Sequence, residues 1–168
     1  GLPGSIKNTI SALEAVAQGK IMLACSMRAQ SPNSTIEKEL SFTPLAWDAL
    51  AVVVHPKNPL RSLTATELRD IYSGKISSWQ AQGGMPAKRI NLYAVAGPLD
   101  GIEFSLRQIL FGNGATGVAA SRWYLNTQQL EEAVSIDPAG MGVSLLSNVH
   151  KNPKLKVLAI ENVLPSPI

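Results

Sequence analysis

The chain predicts an α/β fold with largely parallel sheets. Short apolar runs of strand length recur at residues 21–26, 50–54, 90–95, 119–125, 141–145 and 156–160. Four segments with helical periodicity lie between them, each with start and stop residues. The runs are apolar on both faces, as in strands covered by helices on either side.

The first helix is expected over about residues 5–18. Ile6, Ile10, Leu13 and Ala17 fall on one face, and Gly19 supplies a left-handed stop. The run 21–26, Ile-Met-Leu-Ala-Cys-Ser, follows as a strand. Cys25 within it is expected to be a small buried hydrophobe. The run 50–54 is a second buried strand. A second helix starts at Thr64, where Thr64 and Glu67 form a capping box and Leu63 and Leu68 a hydrophobic staple. Leu68, Ile71 and Tyr72 face inward, and Gly74 ends it. After the strand at 90–95, a third helix starts at Asp100, with Glu103 as box partner and Leu99 and Phe104 as staple. It ends at Gly112. The fourth starts near Asn126, with Gln129 as partner and Leu125 and Leu130 as staple, and stops at Asp137-Pro138. Gly83-Gly84 and residues 112–117 read as surface loops.

Composition narrows the function. The 168 residues are 45% apolar and 16% charged, which describes a globular chain. A net charge of +3, from 15 basic and 12 acidic residues, is too weak and dispersed for a nucleic-acid footprint. It suits a small anionic ligand. One cysteine excludes an internal disulfide. No apolar run reaches the roughly 18 residues of a membrane span.

Enzyme signatures are scarce, and the chain reads as a non-enzyme without a cofactor or metal. His55 and His150 stand in turns far apart in sequence, with no metal-ligand spacing, and read as surface histidines. Glu131 and Glu132 are adjacent on a helix and read as solvated. What stands out is a set of loops ending at helix starts. A helix start offers unpaired N–H groups and the positive end of a dipole, which suits an oxyanion. Gly4 and Ser5 precede the first helix, where Ser5 is either an anion donor or a simple N-cap. Ser26 and Arg28 follow the first apolar run, at the kind of strand end where α/β sheets bind ligands. Arg28 is either a bidentate oxyanion grip or a solvated loop arginine. Asp100 and Gly101 open the third helix, where the capping box alone also accounts for Asp100.

Residues 45–79 resemble the type II periplasmic binding proteins, specifically the phosphate-binding component of bacterial phosphate ABC transporters. The likeness rests on Asp48-Ala-Leu-Ala-Val-Val-Val, then Asn58-Pro59, then Leu63-Thr64, then Ile71-Tyr-Ser-Gly-Lys-Ile76 followed by Trp79. That family usually has Gly after the Asp, where this chain has Ala49. Gly4-Ser5, Ser26-Met-Arg28, residues 130–142 and Pro165-Ser-Pro167 continue the pattern, so the resemblance covers nearly the whole chain.

The resemblance implies two α/β lobes closing on a solute. Lobe 1 would be residues 1–46 plus 146–168, lobe 2 residues 47–145, with hinge crossings near 43–48 and 142–147. It implies phosphate or another small anion between the lobes, an ABC transporter permease as possible partner, and a periplasmic or extracellular location. Ligand-binding positions carried over are Gly4, Ser5, Ser26, Arg28, Asp48, Asp100 and Gly101. The family's Asp-Gly-Ser-Gly-Thr run departs here after Gly101, where Ile102, Glu103 and Phe104 stand instead, and Pro98 replaces an Arg. Glu103 brings a negative charge to the helix start where phosphate would sit. The alternative is therefore a binding-protein-like interaction or sensory module with an eroded solute site. The resemblance implies a first strand before Gly4 and further elements after Ile168. This sequence spans neither, either because it is trimmed or because it is a shortened relation. Lobe 1 is expected to be incomplete, with a sheet edge open to an edge-strand dimer.

Overall fold

The computed structural model describes residues 9–26, 28–44, 48–82, 88–95 and 101–165. Its centre is a five-stranded mixed sheet. The strands are β1 (Leu50–Val54), β3 (Asn91–Val95), β4 (Arg122–Tyr124), β5 (Gly140–Leu145) and β6 (Lys156–Val157), in the order β4-β3-β5-β1-β6. A two-stranded sheet pairs β2 (Ser62–Leu63) with β7 (Ala159–Ile160) in parallel. The expected parallel pairs are present as β3 with β4 and β3 with β5. β1 runs against both its neighbours, with Leu50 opposite Leu145 and Val53 opposite Val157.

Helices cover both faces of this sheet, as the unbroken apolar runs require. Ala51 and Val53 point toward Leu130 and Val134 of α4 (Thr127–Ile136) and Leu146 and Val149 of α5 (Leu146–Val149). Val52 and Val54 point the other way, into a cluster with Leu68, Ile71 and Tyr72 of α2 (Ala65–Tyr72). The same cluster takes Ile102, Leu106 and Leu110 of α3 (Gly101–Phe111). Period-two alternation thus divides one strand's valines between two cores. Trp79 is fully buried in the second of these, its indole N–H donating to Ala139 O at 2.9 Å.

The punctuation of α2 is as expected. Glu67 N–H donates to Thr64 Oγ1 at 3.1 Å, and Thr64 N–H donates to Glu67 Oε2 at 2.8 Å. Leu63 and Leu68 are both buried, and Gly74 adopts φ +81° at the exit. Gly19 and Gly112 also take positive φ, ending α1 (Thr9–Ala17) and α3. At α4, Asn126 caps through Gln129 N–H at 3.0 Å. Gln129 reaches back to Leu125 N–H, not to Asn126, and Leu125 stays exposed, so it does not staple against Leu130. α1 buries Leu13 and Ala15, while Ala17 is exposed.

Three expectations are corrected. Residues 21–26 form no strand; the segment is irregular, and Met22 is 98% and Leu23 80% exposed. Among the described residues no strand lies beside it, so apolar content alone has nothing to pair with. Cys25 is consequently exposed. Residues 156–160 form two short strands, not one. Leu158 between them is buried and donates its N–H to Val52 O, and the chain then passes from β1 to β2. The Gly83-Gly84 loop lies outside the described residues.

Candidate functional site

One end of the central sheet carries two of the candidate positions, Asp48 and Gly101. β5 is parallel to β3, and β1 is antiparallel to β5. The ends of β3 and β5 and the start of β1 therefore share one edge, where parallel α/β strands present ligand sites. Asp48 precedes β1 there, Ser147 follows β5, and Gly101 opens α3.

Asp48 ties the segment before β1 to the segment after β5. Its Oδ1 accepts from Ala49 N–H at 2.8 Å and from Ser147 N–H at 3.3 Å, and its Oδ2 accepts from the Ser147 hydroxyl. Leu146 N–H donates to Ala49 O at 2.8 Å, closing the same junction. Asp48 is exposed beside these bonds.

Ser26 and Arg28 come from the N-terminal segment. The Ser26 hydroxyl donates to Arg28 O at 2.8 Å and accepts from Arg28 N–H at 3.2 Å, a local turn that fixes the loop. Arg28 is buried and already engaged. Nη1 donates to Glu37 Oε2 at 2.9 Å and to Ala29 O at 2.9 Å, and Nη2 donates to Glu37 Oε1 at 2.6 Å. Ser31 N–H adds a third donor to Glu37 at 2.7 Å. The Arg28 guanidinium holds the Glu37 carboxyl below its ordinary value, outweighing the burial that would raise it. Glu37 was not among the expected site residues. Its only sequence signal is a glutamate nine positions past an arginine, which no periodicity marks. The guanidinium also lies 5.0 Å from the Phe104 ring centroid, on the first turn of α3. The structure thus brings the Ser26–Arg28 loop to the Gly101 helix start. Gly4, Ser5 and Asp100 lie outside the described residues.

Glu103 does not present its charge to solvent. Its side chain is fully buried, Oε1 accepts Val95 N–H at 3.1 Å, and Oε2 lies 3.6 Å from Arg107 Nη2, one turn along α3. Burial lowers the Arg107 pKa from its ordinary value, with Glu103 opposing that shift, and burial raises that of Tyr72 beside them. Arg107 also stacks on Trp123 at 5.4 Å. Glu131 is not simply solvated either: it accepts a hydrogen bond from the buried Ser144 hydroxyl. Among the described residues no group of three or more His, Cys, Asp or Glu is placed to hold a metal ion. No helix is long and apolar enough to cross a membrane among those residues.

A mixed sheet covered by helices on both faces, with Asp48, the start of α3 and the Ser26–Arg28 loop beside it, is the architecture of an α/β domain. The chain belongs to the PBP superfamily: the family described as the PBP superfamily domain matches residues 7–165. It is 33% identical over 135 residues to protein SphX of Synechococcus elongatus, covering 73% of this chain and 39% of that protein. Its fold is similar to that of a phosphate ABC transporter substrate-binding protein of Clostridium perfringens solved with bound phosphate. There the TM-score is 0.82 at 20% identity, over 94% of this chain and 63% of the other. An ABC-type phosphate transport receptor from Vibrio cholerae gives a TM-score of 0.69 at 21% identity, over 94% of this chain and 64% of the other. The chain therefore spans less than two thirds of each of these relatives.

Proposed function

We propose that the chain is a non-enzymatic solute-binding domain that takes phosphate or another small anion between two lobes. The observation that carries this reading is the meeting of the Ser26–Arg28 loop with the first turn of α3, across 5.0 Å between Arg28 and Phe104. Two walls from distant parts of the chain face each other where an anion gains helix-start N–H groups. One wall is the N-terminal segment, within residues 1–46; the other is the sheet domain that starts at 47. Residues 146–165, expected in lobe 1, go with the sheet domain because β6 pairs with β1 and β7 with β2. The expected crossings at 43–48 and 142–147 are bound to each other through Asp48 and Ser147. A solute touching both walls favours the closed form by its differential affinity. Gly4, Ser5, Ser26, Arg28, Asp48, Asp100 and Gly101 are the proposed contacts. Kinship with proteins described as phosphate-binding supports phosphate as the first ligand to test, a periplasmic or extracellular location, and delivery to an ABC permease.

The burial of Glu103 favours this reading over an eroded module. Its carboxylate is directed to Val95 N–H and Arg107, so the charge at position 103 is countered inside the fold. Calorimetry with inorganic phosphate, sulfate and acetate tests the proposal. Saturable heat with at least one anion, reduced about tenfold or more by Ser26→Ala or Asp48→Asn, is the expected result. No heat from any of the three, together with a protein partner recovered by pull-down, overturns it in favour of an interaction module.

A further inference from the structure

Four residues form a continuous stack from the N-terminal segment to the loop after α3. Glu37 grips both Nη atoms of Arg28, at 2.9 and 2.6 Å. A buried two-point pair fixes the plane of the guanidinium as well as its position. Held this way, Arg28 covers the Phe104 ring at 5.0 Å. Gly114 leaves room for that ring. A Cβ added there would lie 2.5 Å from ring carbons Cδ2 and Cε2 and 2.7 Å from Cζ. Gly114 is itself tied to the helix, its N–H donating to Gln108 Oε1 at 3.1 Å, while Gln108 Nε2 donates to Gly112 O at 3.1 Å.

We propose that Glu37, Arg28, Phe104 and Gly114 are a built-in clasp that holds the N-terminal segment against α3 before any solute arrives. The inference rests on the two-lobe reading above. In a plain clamp the solute makes the contacts that join the walls. Here a charge held by Glu37 and an aromatic face given room by Gly114 supply one such contact from the chain itself. The closed form is then the resting form. A solute that binds the closed form meets a larger competent fraction, and its apparent affinity rises with that fraction. Loss of one cation–aromatic contact should shift the closed-to-open ratio roughly fivefold.

Cys25 is exposed and is the sole cysteine of the chain, so it accepts one spin label without further change. Ile109→Cys on the exposed side of α3 accepts the second. Pulsed electron spin resonance on this pair should give one narrow distance distribution that inorganic phosphate leaves unchanged. Phe104→Leu keeps an apolar side chain and removes the π face. Gly114→Val displaces the ring without touching Arg28. Both should broaden and lengthen the distribution in the absence of phosphate, with circular dichroism reporting the fold intact. A wild-type distribution that is broad and narrows only with phosphate overturns the clasp, as does a folded Phe104→Leu protein indistinguishable from wild type. If Gly114→Val unfolds, Phe104→Leu alone decides. Phosphate calorimetry on the same samples separates the two readings. Heat with distances insensitive to Phe104→Leu sinks the clasp and leaves the binding function standing. Absence of heat sinks phosphate binding while the ligand-free distances still decide the clasp.

Discussion

Glu103 and Arg107 meet at 3.6 Å, one turn apart on α3, with both side chains sealed from solvent. Among the described residues Arg107 finds no hydrogen-bond partner for Nε, Nη1 or Nη2. The pair is therefore held by charge and by the Trp123 face, not by directed bonds. Such a pair stabilises little relative to neutral residues, while breaking one side of it strands a buried charge.

A double-mutant cycle should display this asymmetry. Arg107→Met alone is expected to lower stability by roughly 3 kcal/mol, because it removes a buried charge that faces the Glu103 carboxylate at 3.6 Å. Adding Glu103→Gln keeps an acceptor for Val95 N–H and should recover most of that loss. Urea denaturation of the two single variants and the double variant measures it. A double variant as unstable as Arg107→Met would show that the pair is not coupled.

Arg28→Ala should cost about 3 kcal/mol, since it leaves Glu37 buried with its two-point partner gone. Arg28→Ala is thus a stability variant as well as a binding variant. Its anion affinity must be measured under conditions where circular dichroism shows it folded.

The Glu37 carboxyl sets part of the acid limb. Its folded pKa lies below its ordinary 4.5, chiefly through the hydrogen bonds from Arg28. A group depressed in the folded state contributes stability above its unfolded value and loses it as pH falls through the folded one. Glu37→Gln should therefore be less stable than wild type above about pH 5, and the gap should close as pH falls below that range. Thermal melts at several pH values check the trend. A gap that widens toward low pH would contradict it.

Gly142 on β5 faces the buried Leu130 of α4. A Cβ there would stand 2.7 Å from one Leu130 methyl and 3.1 Å from the other, inside a closed core. Gly142→Ala should destabilise by about 1–2 kcal/mol through overpacking. Combining it with Leu130→Val should return part of the loss, read by the same denaturation assay.

Thr64→Ala removes the acceptor for Glu67 N–H and half of the α2 capping box. A loss of about 1 kcal/mol is expected in chemical denaturation. The anion titration should be unchanged, because this box identifies the fold from a position away from the proposed contacts.

Residues 45–79 made the family legible, and the structure shows why they did. Thr64 and Glu67 find each other three residues apart, Gly74 takes the φ its type favours, and the 50–54 run becomes β1 with the same bounds. These outcomes are decided by neighbours in sequence or by the simple need to bury valines. The site was less legible. Asp48 was expected there, but its partner Ser147 lies 99 residues away. Arg28 was expected as well, but its engagement by Glu37 depends on how a loop folds back on itself.

The sequence by itself determined four helices, the Thr64–Glu67 capping box, the stops at Gly19, Gly74 and Gly112, the 50–54 strand and the family, because short-range rules specify those features. Tertiary structure alone decided that β1 runs against β5, that residues 21–26 form no strand, that Glu103 turns to Val95 and Arg107, and that Arg28 is held between Glu37 and Phe104. In each of these cases a group that cannot be satisfied by its sequence neighbours takes its partner from wherever the packed chain places one. A buried charge must be countered and a strand edge must be paired or left exposed, and only the assembled fold sets which of these happens.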